Sequence, residues 1–282
     1  MSPQQRAYFH NSTVAKSLLL FVILISFVNE SISAQSLLSG ERLRQSFHIN
    51  NARSREAKDE LRVLFVGNSF TYTNDLPAIV AALAEATEQK QFTYKSIAFP
   101  DFSLEDHWQQ GEARKAMAEK RWDFVVMQQG PSALPESRTL LLEYARRFDA
   151  EIRRAGAKPA FYMVWPSYPR FSDFDRVSES YRLAAEEIKS ALFPAGEAWR
   201  AAWRRDDKLK LYSSDGLHPS QAGSYLNALV IYEQLYGKSP IGLPSRLQIR
   251  SKMISKLELS AETATLLQQA AAEANAKFRK SY

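Results

Sequence analysis

The chain has 282 residues, 45% of them hydrophobic and 24% charged, which is typical of one soluble globular domain with additional segments. It contains no cysteine, so disulfides, thiolate catalysis and cysteine-bound metal are excluded. Its formal net charge of +6 comes from basic residues interleaved with acidic ones, without a nucleic-acid motif, which favours a solvated surface and no nucleic-acid partner.

Residues 1–34 have the pattern of a secretory signal peptide. Arg6 and Lys16 supply positive charge, and the apolar run after them is too short for a comfortable membrane span. Small residues then suit cleavage after Ala34, with retention as an anchor as the alternative. We therefore predict a secreted or periplasmic protein, with no stable membrane insertion once the leader is cleaved.

Three further segments follow the leader. Residues 35–60 are polar and lack a strong period, which predicts a linker. Residues 61–238 form the predicted main domain. In the extension at 239–282, Pro and Gly first indicate a connector, and Ser260 then begins a helix that we expect to pack back onto the main domain.

Within the main domain, short apolar runs alternate with amphipathic segments, a pattern typical of a mostly parallel sheet with helices between its strands. Strands are predicted from Leu61 to the turn at Gly67 and at 92–98, 123–128, 159–165 and 191–193. Helices are predicted after Asp75, from Ser103, through the stripes Leu141/Tyr144/Phe148/Ile152 and Phe174/Val177/Tyr181/Ala184/Ile188, and at 220–236.

The first candidate functional residue is Ser69, which follows the turn Gly67-Asn68 where the first strand gives way to a helix. A serine at that junction lies at the carboxyl edge of a parallel sheet, where open α/β sheets bind their ligands. Its position therefore makes it a candidate nucleophile, and the alternative is a serine in an ordinary polar turn.

A serine nucleophile needs a base, and the base needs an orienting group. Asp215 and His218 are three residues apart on a Gly-containing loop before a helix, so the carboxylate can reach one ring nitrogen and leave the other for Ser69. The alternative is that Asp215 only stabilises a turn. The chain has four histidines, and only His107 and His218 fall in the predicted main domain.

Together, Gly67-Asn68-Ser69 and Asp215-Gly216-Leu217-His218 resemble the motifs of the SGNH (GDSL-like) hydrolases. The resemblance covers roughly residues 61–237 and implies a three-layer α/β/α sandwich with a mostly parallel central sheet, similar to flavodoxin. It also implies a catalytic set of Ser69, Asp215 and His218 with no cofactor. No His and carboxylate cluster has convincing metal-ligand spacing.

The resemblance further implies an oxyanion hole. The Ser69 backbone N–H is one donor, and Asn68 of the same motif is placed among the oxyanion and substrate-binding residues. The family takes a second donor from a backbone glycine after the second strand, which is missing here. Asp101 or Phe102 would then supply that N–H, and we expect the Asp101 side chain to turn away from the developing negative charge.

The third family donor is an asparagine after the third strand, where this chain has Gln128 and Gln129. A Gln carboxamide can donate equally well on a longer arm, as in a divergent branch of the superfamily. Because neighbouring side chains on a strand point to opposite faces, only one glutamine should reach the oxyanion, and Gln128 is favoured. The alternative for both is ordinary hydrogen bonding at a strand end.

Two other positions lie beside the predicted site. His107 is interpreted as a helix-face histidine with a satisfied hydrogen bond, with substrate contact as the alternative. Trp165 and Tyr168 follow the fourth strand; packing is the default interpretation, although such rings suit sugar faces.

The predicted function is a serine esterase that releases short acyl groups, such as acetyl, from a carbohydrate or similar small substrate. One alternative is a non-catalytic carbohydrate-binding or cell-envelope module on the same fold. Another is a lipase or thioesterase, which would need a long apolar acyl channel.

Overall fold

A five-stranded parallel sheet lies at the centre of the computed structural model, which describes residues 60–278. Its strands are β1 (Glu60–Gly67), β2 (Gln91–Ala98), β3 (Phe124–Met127), β4 (Lys158–Tyr162) and β5 (Ala191–Phe193). They lie in the order β2-β1-β3-β4-β5, and every neighbouring pair is parallel. The carboxyl ends of all five strands therefore lie along one edge of the sheet.

Helices cover both faces of this sheet. They are α1 (Ser69–Tyr72), α2 (Leu76–Ala86), α3 (Leu104–Gln110), α4 (Glu112–Glu119), α5 (Pro135–Arg154), α6 (Phe174–Glu187), α7 (Ala195–Arg205), α8 (Gln221–Tyr236) and α9 (Ala261–Phe278). Helices α2, α7 and α9 pack on α8 in one layer, and α3, α4 and α6 pack on α5 in a second. The architecture is the predicted three-layer α/β/α sandwich.

The predicted apolar stripes are the buried faces of these helices. Leu141, Phe148 and Ile152 of α5 are fully buried, as are Val177 and Tyr181 of α6. Burying a large apolar side chain stabilises the folded state by roughly 1.5–3 kcal/mol, so each stripe holds its helix against the sheet.

Strand β4 is shorter than predicted, because the sequence favours a strand to residue 165 and the sheet pairing ends at Tyr162. The apolar residues beyond it remain buried: the Trp165 ring is stacked on Trp199 with ring centroids 3.8 Å apart. Apolarity alone therefore does not distinguish a strand from a buried connection. Helix α7, which supplies Trp199, was not predicted.

The C-terminal segment contains an unpredicted antiparallel hairpin of β6 (Arg246–Gln248) and β7 (Lys256–Glu258), followed by α9. Helix α9 packs on α7 and α8, and two of its buried amides hold it in place. Gln268 donates to the Leu243 carbonyl at 2.7 Å, and Asn275 donates to the Glu233 carboxylate at 2.7 Å.

The predicted leader at 1–34 lies outside the described residues, as does the predicted linker at 35–60 except for residue 60, which begins β1. Among residues 60–278, no helix is long and apolar enough to cross a membrane.

Candidate active site

The turn that carries Ser69 is shaped by its neighbours on both sides. Strand β1 ends at Gly67, and α1 begins at Ser69 with Asn68 as its N-cap, whose side-chain oxygen accepts the Phe70 N–H at 3.2 Å. A Cβ at Gly67 would lie 2.4 Å from Gln128 Oε1 and 2.5 Å from Thr71 Oγ1, so no larger residue fits. The glycine therefore allows polar side chains to pack directly beneath the turn.

Asn68 joins the Ser69 turn to the loop that follows β2. Its Nδ2 donates to the Phe102 carbonyl at 3.0 Å, and its Oδ1 also accepts from Gln128 Nε2 at 2.8 Å. The Asn68 carboxamide thus fixes the Ser69 turn and the loop after β2 relative to each other. Its oxygen and its amide group both bond other residues of the protein.

Gln128 is buried beneath the same turn. Its Oε1 accepts the Asn68 backbone N–H and the Thr71 hydroxyl, each at 2.9 Å. A backbone N–H can only donate, so these bonds assign Oε1, and Nε2 is the atom that donates to Asn68 Oδ1 and to the Gln129 carbonyl. Both amide hydrogens of Gln128 are therefore bonded within the fold.

Gln129 faces the cavity beside Ser69, but its carboxamide is also engaged. Its Oε1 accepts the Leu104 N–H at 3.1 Å, and its Nε2 donates to Ser132 Oγ at 2.8 Å and to the Ser137 carbonyl at 3.3 Å. Gln129, like Gln128, could therefore donate to an oxyanion only by breaking one of its present hydrogen bonds.

Two backbone N–H groups are better placed to meet an oxyanion. Among residues 60–278, neither the Ser69 N–H nor the Asp101 N–H has an acceptor, whereas the Phe102 N–H donates to the Phe99 carbonyl at 3.3 Å. Asp101 also has a φ of +60°, in the left-handed region that favours glycine. Its backbone therefore has the conformation that suits the glycine of the family motif, and Asp101, not Phe102, is the candidate donor.

Asp215 and His218 are in direct contact. His218 Nδ1 lies 2.6 Å from Asp215 Oδ2, while Asp215 Oδ1 accepts from Ser213 Oγ at 2.7 Å and from the N–H groups of Leu217 and His218 at 2.8 and 2.9 Å. Gly216, with a φ of +68°, makes the reversal that allows this. Partial burial opposes ionisation, but the hydrogen bonds from His218, Leu217 and Ser213 hold the pKa of Asp215 well below its usual range.

The Asp215–His218 loop lies against the residues around Ser69. The His218 ring centroid is 6.2 Å from that of Phe70, the residue after Ser69, and Trp165 Nε1 donates to the Leu217 carbonyl at 3.1 Å. No hydrogen bond joins Ser69 Oγ to His218 Nε2 in the described part of the chain. Such bonds are commonly long without substrate and shorten in the reacting complex.

His107 is buried directly behind the Ser69 turn, not on an open helix face. Its Nε2 lies 2.7 Å from the Gly67 carbonyl, and since a carbonyl only accepts, the proton must be on Nε2. Burial lowers the pKa of His107, with the hydrogen bond to Gly67 acting in the opposite direction. The predicted hydrogen bond is present, and the ring supports the backbone just before the candidate nucleophile.

A cavity of about 460 Å³ opens beside Ser69. The loop after β2 lines one side through Asp101, and the segment after β4 lines the other through Ser167, Arg170 and Asp173. Trp165 is buried in the core, and Tyr168, which follows the lining residue Ser167 in the chain, is 67% exposed. Within residues 60–278, no group of three His or carboxylate side chains could hold a metal ion.

Ser167, Arg170 and Asp173 were not predicted from the sequence as site residues. Their only signal was a position shortly after a predicted parallel strand, which many polar residues share. The 3-10 turn Tyr168–Asp173 that brings them to the cavity has no distinctive sequence pattern.

Solved structures that are similar to this chain include the following three. A protein from Slackia heliotrinireducens, provisionally named an SGNH hydrolase, is 28% identical over 62% of this chain and 98% of its own, with a TM-score of 0.53. A DUF4886 family protein from Bacteroides uniformis is 20% identical over 79% and 97%, with a TM-score of 0.61. A lipase/acylhydrolase from Enterococcus faecalis is 15% identical over 63% and 96%, with a TM-score of 0.52. The last two likenesses concern the fold alone.

No protein-family model and no curated protein matches the chain. The three-layer fold and the first of these likenesses show that this chain is similar to the SGNH (GDSL-like) hydrolases.

Proposed function

We propose that this protein is a serine hydrolase that cleaves carboxylic esters, with Ser69 as nucleophile, His218 as general base and then acid, and Asp215 as the group that orients His218. The observation that carries the proposal is the 2.6 Å contact between His218 Nδ1 and Asp215 Oδ2, on a loop packed against the residue that follows Ser69. Serine catalysis needs such an oriented imidazole beside the nucleophile.

In the first half of the reaction, Ser69 Oγ forms a bond to the ester carbonyl carbon as its proton moves to His218 Nε2. The carbonyl π electrons move onto oxygen, and the Asp215 carboxylate stabilises the imidazolium. When the carbonyl reforms, the C–O bond to the alcohol breaks and His218 donates its proton to that oxygen. Water then repeats both steps on the acyl-serine and releases the acid.

The backbone N–H groups of Ser69 and Asp101 are the proposed oxyanion donors. Each lacks an acceptor among residues 60–278, so neither must give up a hydrogen bond to meet the oxyanion. The two glutamines position the backbone next to these donors and do not contact the oxyanion themselves. Gln128 accepts the Asn68 backbone N–H, next to Ser69, and Gln129 accepts the Leu104 N–H, close after Asp101 in the chain. A hole built from pre-positioned backbone donors stabilises the transition state with little reorganisation.

The proposed substrate carries a short acyl group, such as acetyl, on a carbohydrate or similar small molecule. The cavity lining combines polar groups, such as those of Ser137, Ser167 and Arg170, with apolar side chains. A short acyl group can therefore pack on the apolar part while the polar groups meet the alcohol part of the ester. The Tyr168 ring, exposed in the same turn as Arg170, offers a flat face to a sugar. We also propose export by the signal peptide at 1–34, so that the mature protein would meet such substrates outside the cytoplasm.

The test is hydrolysis of phenyl acetate and phenyl octanoate by the purified chain that begins after Ala34. We expect turnover of the acetate, a lower kcat/KM for the octanoate, and loss of both activities in Ser69→Ala. Removing a triad nucleophile reduces kcat by several orders of magnitude, on the order of 10⁶ in a well-studied protease. Ser245→Ala, in the C-terminal segment, is the matched control and should keep parental turnover.

Two outcomes would decide against the proposal. Parental turnover in a folded Ser69→Ala protein would remove the nucleophile assignment. A faster reaction with the octanoate would favour the lipase or thioesterase alternative.

A further inference from the structure

The wall of the cavity after β4 contains a fixed guanidinium. Arg170 Nε and Nη2 lie 2.7 and 2.6 Å from the same Asp173 oxygen, Oδ2. A guanidinium has five N–H donors, so this contact orients the group and leaves Nη1 and one hydrogen of Nη2 free. The Arg170 side chain is 50% exposed and lines the cavity, where those donors can meet a ligand.

Asp173 does not cancel this charge alone, because it is shared between two cations. Its side chain is 3% exposed, and Arg176 bonds its other oxygen, Oδ1. Hydrogen bonds from Arg176 and Arg170 hold the pKa of Asp173 below its usual range, so the carboxylate stays ionised. One buried anion between two arginines leaves a net positive charge on this wall.

A hydroxyl lies on the same wall. Ser167 lines the cavity, and among residues 60–278 its Oγ has no hydrogen-bond partner, so it can donate to an anion bound by Arg170. The wall is also tied to the catalytic loop, since the Tyr168 N–H donates to the Gly216 carbonyl at 2.7 Å.

The acidic and basic side chains that line the cavity differ between its two ends. Asp101 follows β2, whereas Arg170 follows β4, and β1 with Ser69 lies between those two strands in the sheet. An anionic substituent on a bound ester is therefore repelled on the β2 side of Ser69 and attracted on the β4 side.

We propose that the ester substrate carries a carboxylate, which Arg170 binds through its free N–H groups with the Ser167 hydroxyl as a second donor. This inference rests on the proposed function and specifies its substrate class. Planar guanidinium groups bind carboxylates with charge-assisted hydrogen bonds, which makes Arg170 the residue that selects the anionic ester.

The experiment measures binding without turnover, in the Ser69→Ala protein. Calorimetric titrations compare phenyl acetate with 4-acetoxybenzoate, whose carboxylate is on the alcohol side, and with monophenyl succinate, whose carboxylate is on the acyl side. We expect at least one anionic ester to bind more tightly than phenyl acetate, and added Arg170→Met to reduce that preference by about 10-fold or more. Arg170→Lys, which keeps the charge, should retain part of it.

Arg153→Met is the matched control, because it also removes one exposed arginine paired to an aspartate, Asp149, but at the far end of α5. It should leave the preference unchanged. Equal affinity for neutral and anionic esters, or an equal loss in the Arg153 and Arg170 variants, would overturn the assignment. Because binding is measured with Ser69 removed, a failure here is distinct from an absence of ester hydrolysis in the parent, which bears on the proposed function.

Discussion

Replacing Asp215 by Asn removes a charge while keeping the shape of the side chain. The backbone N–H groups of Leu217 and His218 both bond Asp215 Oδ1, so an asparagine will keep its oxygen there and place its NH₂ group where Oδ2 was, 2.6 Å from His218 Nδ1. Two donors cannot face each other, so His218 Nδ1 becomes an acceptor and the ring proton moves to Nε2. That tautomer cannot accept the Ser69 proton.

The expected loss has two parts. A hydrogen bond to a charged group contributes about 1.5–3 kcal/mol, which corresponds to roughly 10- to 150-fold in rate when it acts only in the transition state. The wrong tautomer adds to this, and the equivalent change in a serine protease costs about 10⁴-fold. We therefore expect kcat for Asp215→Asn to fall by about 10² to 10⁴, with KM changed little because Asp215 does not contact the substrate.

The assay is the steady-state hydrolysis of phenyl acetate from pH 5 to pH 9. Since the pKa of Asp215 is held far below this range, the carboxylate stays ionised throughout, and the loss in Asp215→Asn should persist at every pH tested. Ser213→Ala is the control: it removes one donor to Asp215 Oδ1 and leaves the His218 contact, so its effect should be far smaller. Turnover of Asp215→Asn within about threefold of the parent would show that Asp215 only stabilises the turn.

Three further predictions concern other parts of the chain. Gln128→Ala should lower both stability and kcat, since it leaves the Asn68 N–H unpaired, whereas Gln129→Ala should mainly lower kcat by loosening the loop after β2; parental kcat in both would exclude either role. Because burial lowers the pKa of His107, the folded state binds its proton less readily than the unfolded state, so stability should fall as the pH drops below about 6.5. Denaturant unfolding at pH 7.5 and pH 5 measures this loss of unfolding free energy, which should be smaller in His107→Gln than in the parent. An equal loss in the two proteins would show that groups other than His107 cause the pH dependence. Intact-mass measurement of the exported protein should show cleavage after Ala34, and a retained leader would favour the anchored form.

Local sequence determined the features in which neighbouring residues interact. Gly67-Asn68-Ser69 forms a turn because the apolar strand ends there and Asn68 caps the next helix. The Asp215–His218 contact was predicted correctly because three residues and a glycine suffice to close it, although its catalytic role stays a prediction. The sheet followed from the alternation of buried strands and amphipathic helices, since burial of an apolar stripe depends on its period.

Tertiary structure decided what the remaining polar side chains contact. The sequence placed Gln128 and Gln129 at a strand end, but only the packing of β1 against β3 puts the Gln128 oxygen on the Asn68 N–H, 60 positions away in the chain. Likewise, His107 supports Gly67 across 40 positions. The contacts of Asp173 with Arg170 and Arg176 are local, but only the fold brings the turn that carries them to the cavity beside Ser69. A side chain's hydrogen bonds depend on which loops the fold brings beside it, and no local pattern encodes that choice.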